Sequence, residues 1–223
     1  MKRVVPILLL ICICLMSLTG CSLKKVVELE GREQVEAFVA DAKTWQSGRY
    51  MLTSLITGET DQVFSFMNNA DGTQSYLYER IADGTLYTEY SDGREIYFTA
   101  EKDGEITDGE GAEENVLYTV ESPHPYSTGD LLFYVNLYAS GSTAEIDGEG
   151  NVTYTYVYDT AKINKALGTS LSEFVTTYTF DKNGSFMYFT QKNSSGNGSY
   201  GYMIEVLDVN AITEIEKPDS IME

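Results

Sequence analysis

Hydrophobic positions change their period twice along this chain. Val4 to Met16 is a run of apolar residues behind the basic Met1-Lys2-Arg3. Val35, Phe38, Val39, Ala42 and Trp45 then recur at helical spacing, with Glu33, Glu36, Asp41 and Lys43 off the stripe, which predicts an amphipathic helix stopped near Gly48. From Arg49 the period falls to two. Strand-like runs occupy Arg49–Thr57, Gln62–Asn68, Gln74–Ile81, Thr85–Tyr90 and Glu95–Ala100, punctuated by Asp-Gly at 71–72, 83–84, 92–93 and 103–104. Asp-Gly supplies the positive φ of tight hairpins, so regular turns at this spacing predict an antiparallel meander.

Residues 103–115 are acidic and Gly-rich and read as an exposed loop. Val116–Val120 reads as a short strand, and Pro123-His124-Pro125 as a loop. Ser127-Thr128-Gly129-Asp130 resembles a capping box leading into a helix over Leu131–Ala139, apolar nearly all round. The two-residue period resumes at Val152–Tyr158, with Tyr154, Tyr156 and Tyr158 on one face. A helix over Ala161–Leu167 stops at Gly168. Strands are predicted over Glu173–Phe180, Ser185–Lys192, Tyr200–Val209 and Ile212–Ile215, with a polar loop at Asn193–Ser199. This makes about ten or eleven strands and about three helices, undivided by any Pro- or Ser-rich linker, and one domain is the economical reading.

Leu18-Thr19-Gly20-Cys21 follows the apolar run, which is too short and wrongly flanked for a membrane span but suits a secretory signal. These four residues resemble the lipobox of bacterial lipoproteins. The resemblance implies diacylglyceryl transfer to the Cys21 sulfur, cleavage after Gly20, frequent N-acylation (a palmitate or similar chain), and an extracytoplasmic protein anchored to the bacterial cell membrane. The expected organisation is a signal peptide over 1–20, a lipidated tether over 21–31 and a folded domain over 32–219.

Loss of residues 1–20 removes Lys2 and Arg3 and moves the net charge from −19 to −21. So acidic a surface disfavours nucleic acid, whose phosphates need cationic neutralisation, and disfavours lying flat on anionic lipid. Cys12 and Cys14 leave with the signal and Cys21 is taken by lipid, so the mature chain has no disulfide and no thiolate metal site. The expected state is a monomer held by its core alone, with no cofactor.

The order of elements, an N-terminal helix, a long meander, an apolar helical insert and more strands, looks like the LolA/LppX-type lipoprotein-carrier fold. The closing stretch, Tyr202-Met203-Ile204-Glu205-Val206 through Ile215-Glu216-Lys217-Pro218-Asp219, is similar in style to the last strands of that family. The resemblance spans roughly 32–219. It implies an α+β fold in which a strongly curved antiparallel sheet forms an open half-barrel and helices cover its concave face over an apolar cavity.

Candidate chemistry is sparse. His124 is the single histidine, between two prolines, and no Gly-x-Ser-x-Gly elbow accompanies it, so it reads as a solvated loop residue. The acidic segment from Asp103 to Glu114 misses the calcium-loop register, with Asp108 where the sixth position needs glycine. The same solvated-turn reading covers Asp147 to Asn151. No paired carboxylate, nucleophile or metal cluster suggests an enzyme. The candidate ligand-binding residues are Leu131, Leu132, Tyr134, Val135 and Tyr138 on the apolar helix and Tyr154, Tyr156 and Tyr158 on the strand, since an aromatic body with a polar tip suits an amphipathic ligand. Two readings stay open: non-covalent binding of a lipid or other apolar ligand, or a ligand-free module presenting its sheet to an envelope protein or cell-wall glycan. On the lipobox reading, Cys21→Ser should leave an uncleaved or soluble product whose domain still folds, as read by membrane fractionation and intact mass. Normal processing with undiminished membrane retention would refute the anchor.

Overall fold

In a computed structural model, residues 28–108, 117–128 and 138–221 are described. The expected signal segment, Cys21 and positions 129–137, which include Leu131, Leu132, Tyr134 and Val135, lie outside them.

Eleven strands form one antiparallel sheet: β1 (Ser47–Ser54), β2 (Thr60–Asn68), β3 (Gln74–Ala82), β4 (Thr85–Ser91), β5 (Ile96–Lys102), β6 (Glu105–Asp108), β7 (Ala139–Ile146), β8 (Val152–Tyr158), β9 (Leu171–Phe180), β10 (Phe186–Ser195) and β11 (Gly198–Leu207). Their spatial order is β6-β5-β4-β3-β2-β1-β11-β10-β9-β8-β7. Two meanders, β1–β6 and β7–β11, are thus fused where β1 pairs with β11 in the register Arg49↔Leu207 to Ser54↔Tyr202. The sheet is curved and does not close, and its free edges are the sequence neighbours β6 and β7. Two α-helices occur among the described residues, α1 (Arg32–Ala42) and α2 (Thr160–Leu167), with short 3-10 turns at Pro125–Thr128 and Asp219–Ile221.

The Asp-Gly turns divide into two kinds. Asp83 and Gly84 both have positive φ (52° and 73°), as do Asp103 and Gly104 (55° and 81°), the two-residue turn whose twist matches its strands. At the other two pairs only the glycine is left-handed. There the aspartate caps the turn: Asp71 Oδ1 accepts the Thr73 N–H at 3.0 Å, and Asp92 Oδ1 accepts those of Arg94 and Glu95 at 2.8 and 2.9 Å.

Several expectations from the sequence are corrected. Ile212–Ile215 is not a strand. Both flanks of β11 are already taken by β1 and β10, and left-handed Asp208 and Asn210 turn the chain off the ladder. β7 escaped prediction because Ala-Ser-Gly-Ser-Thr-Ala-Glu-Ile lacks aromatic alternation, as an edge strand with one neighbour can. Its first residue, Ala139, begins a strand where a helix end was expected. Part of the acidic loop, Glu105–Asp108, pairs with β5, and the expected loop at Asn193–Ser199 is largely the β10–β11 hairpin. The stretch expected as strand Val116–Val120 makes only an isolated bridge, Thr73↔Thr119.

One face of the sheet carries a continuous row of rings. Tyr50, Phe64, Phe66, Tyr76, Tyr156, Tyr178, Phe180 and Phe189 are each buried to 1% exposure or less. α1 covers one part of this face, inserting Val35 and Ala42, while Trp45 packs just beyond its end. Tyrosine hydroxyls fasten the helix: Tyr154 donates to Gln34 Oε1 at 3.0 Å and Tyr156 to the Glu30 carbonyl at 2.7 Å. Gly31 caps α1 at φ +64°, with its α-carbon against the Tyr154 ring.

Another part is covered by residues 117–128, and here the solvated reading of His124 is overturned. Its ring stacks on Phe64 with centroids 4.5 Å apart and meets Tyr76, Tyr118 and Tyr126 at 5.1, 4.6 and 5.2 Å. Buried Gln74 holds the segment down, accepting the His124 N–H at 2.9 Å and donating to Ser127 Oγ at 3.1 Å. The Tyr126 N–H donates to His124 Nδ1 at 3.2 Å, so this nitrogen must carry a lone pair.

On the opposite face the C-terminal segment forms a strap. Asn210 Oδ1 accepts the Gln46 N–H at 2.7 Å and Ser47 Oγ accepts that of Ile212 at 3.1 Å. Lys217 Nζ then sits 4.1 Å from the Tyr97 ring centroid on β5, and the closing 3-10 turn packs on the same strand. From β1 to β5 the strap spans four interstrand spacings, about 19 Å.

Two outcomes follow from this packing. Gly31→Ala should cost about 2 kcal/mol or more, from its left-handed φ and the methyl driven into Tyr154. Gly148→Ala, with open space around it, should stay within about 0.5 kcal/mol; equal urea midpoints for the two variants would refute the close approach. Burial also lowers His124 from 6.5 to about 4 by stripping water from the imidazolium. The unfolded chain therefore binds more protons between those values. Stability is full above about pH 6.5 and falls toward about pH 4, by at most about 3 kcal/mol. His124→Phe should flatten this dependence in urea midpoints taken at about pH 7 and about pH 5.

Candidate functional site

An open cleft of about 470 Å³ lies between α1 and the sheet. The helix supplies Gln34, Ala37, Phe38 and Asp41, the i, i+3, i+4, i+7 positions of one face, and Trp45 follows three residues after the helix ends. Phe180 and Phe186 flank the β9–β10 turn that carries Gly184, Val206 comes from the end of β11, and Val209 from the turn just after it.

Aromatic contacts give the cleft its floor. Phe38 stacks on Phe186 with centroids 3.9 Å apart and planes 12° apart, and meets Phe180 and Trp45 edge-on at 6.1 and 6.0 Å. Two polar side chains line it. Gln34 Nε2 donates to the Gly184 carbonyl at 3.4 Å, tying the helix to the turn. Asp41 Oδ2 accepts the Trp45 indole N–H at 3.0 Å, which fixes the carboxylate and the indole together. Such a lining offers dispersion and desolvation to an apolar chain and supplies no nucleophile or acid–base pair. Among the described residues no group of three or more His, Cys, Asp or Glu side chains could hold a metal ion.

The residues singled out from the sequence sit elsewhere. Tyr154, Tyr156 and Tyr158 share the ring-bearing face of β8, but none lines the cleft. Their hydroxyls serve the protein: Tyr154 and Tyr156 hold α1, and Tyr158 shares a hydrogen bond with Thr176 Oγ1 at 2.9 Å. Burial raises Tyr156 and Tyr158 well above the ordinary tyrosine range, so both stay protonated donors. Tyr138 packs partly buried against the core. Sequence reasoning missed the cleft because its walls are distant in the chain. Only the helical stripe carried a signal, and Phe38 and Trp45 read there as core.

No family model matches this chain, and no curated protein sequence does. Among solved structures, that of LprF from Mycobacterium bovis matches 85% of this chain and 97% of its own at 15% identity, with a TM-score of 0.50. The structure of the Mycobacterium tuberculosis lipoprotein LppX matches 83% of this chain and 99% of its own at 15% identity, with a TM-score of 0.33. The LolA/LppX-type fold expected from the order of elements is the fold observed, and the chain shares it with LprF.

Proposed function

We propose that this chain is an extracytoplasmic bacterial lipoprotein, anchored through Cys21, that holds a lipid or other apolar ligand non-covalently in the cleft beneath α1. The observation that carries the reading is the cleft itself: about 470 Å³, open to solvent, and walled by Phe38, Trp45, Phe180, Phe186, Val206 and Val209. That volume lies in the range of about 300–1,000 Å³ usual for small-ligand sites. Binding draws on removal of apolar surface from water, about 25 cal/mol per Å² before association costs. Residues 1–20 act as the signal peptide, 21–31 as the tether, and 32–219 as the binding domain.

A second reading, a ligand-free interaction module, is favoured by one observation. Ile56, Tyr200 and Ile81 are 68%, 52% and 55% exposed, all at the end of the sheet that carries the β1–β2, β3–β4 and β10–β11 turns. Native mass spectrometry of the chain from Ser22 onward, purified without detergent, separates the two. A co-purifying mass that extracts into organic solvent is the expected result, and it should diminish in Ala37→Phe, which fills the cleft from an exposed helix position. A bare protein mass that also ignores added lipid would favour the interaction module.

A further inference from the structure

The electrostatics of the cleft restrict the head group of what it holds, an inference that rests on the cleft reading above. We propose that the cleft takes amphiphiles whose head group carries no negative charge, with Asp41 as the residue that selects against anions.

Four observations support this. Of the ten residues that line the cleft, Asp41 alone is charged, and no cation is among them. The carboxylate cannot swing freely away, because its Oδ2 accepts the Trp45 indole N–H at 3.0 Å while both residues line the same space. Arg49, on β1, pairs with Asp208 at 3.2 Å. The whole chain carries −19, so no long-range field offsets the local one. An acyl chain entering beside α1 would place a fatty-acid carboxylate or a lipid phosphate next to the Asp41 carboxylate. A glycerol, sugar or ammonium head meets no such repulsion, and a hydroxyl can donate a hydrogen bond to Asp41.

Trp45 makes the test direct, since it is the sole tryptophan and lines the cleft. Detergent-free protein beginning at Ser22 is titrated, at low salt and mildly alkaline pH, with monopalmitoylglycerol and with palmitate, each below its critical micelle concentration. Trp45 emission reports occupancy. The expected result is saturable binding of the glycerol ester and a Kd for palmitate at least about tenfold higher. That gap should shrink in Asp41→Asn, which keeps an acceptor for the indole, and in 1 M salt, where the Debye length is about 3 Å. Equal affinities for the two probes, or a gap indifferent to both the substitution and the salt, would overturn the selectivity while leaving a working cleft. Silence of Trp45 toward both probes would instead remove the cleft reading, and the selectivity with it. Should Asp41→Asn fail to fold, the salt series on the unaltered sequence still decides.

Discussion

An open curved sheet cannot cover its own apolar face, and the rest of this structure answers that constraint. The row from Tyr76 and Phe64 through Tyr50 to Phe189, Tyr178 and Tyr156 must be kept from water by groups outside the sheet. α1 and the segment around His124 do so at separate places. Both are fastened by polar side chains that would be costly to bury unpaired: Gln34 with Tyr154 for the helix, and Gln74 with Ser127 for the His124 segment. The cleft lies where the cover formed by α1 meets the β9–β10 turn and stops short of closing. It is a margin of the core, with the same aromatic composition, left accessible.

The meander was readable because its signals are local. An Asp-Gly pair dictates a turn from two residues, and alternation dictates a strand from six or seven, so β2, β3, β4 and β8 were placed almost to the residue. What failed depended on distant partners. Ile212–Ile215 has strand-like residues but no free ladder to join, a fact visible only once β1 and β10 are known to occupy both sides of β11. His124 between prolines carries every local mark of an exposed loop, and only the rings of Phe64 and Tyr76, some fifty or sixty positions earlier, make it a buried one. The cleft shares this character. Phe38 is legible as part of a stripe, but its stacking on Phe186 is a property of the tertiary structure.

The acidic composition also acquires a structural use. Asp147 accepts the N–H groups of Glu149 and Asn151, and Asp181 those of Asn183 and Ser185, each organising one hairpin turn. Hydrogen bonds, led by the Asn151 side chain for Asp147 and the Ser185 backbone for Asp181, hold both carboxyls below their ordinary value. Negative charge is therefore partly a by-product of building many tight turns with aspartate. The charge that adjoins an apolar wall is the one at Asp41.

The junction of β1 with β11 has a temporal consequence. Gln46 and Asn210, which bond across it, stand 164 residues apart in the chain. A chain emerging N-terminus first can form the β1–β2 and β2–β3 hairpins early, yet β1 must wait for almost all of the remaining sequence before its second neighbour exists. Until then the inner edge of the first meander lies open, and closing so long a loop is entropically unfavourable. Such a topology keeps the polypeptide unfinished throughout its emergence. It also makes the last strand the one that commits the structure.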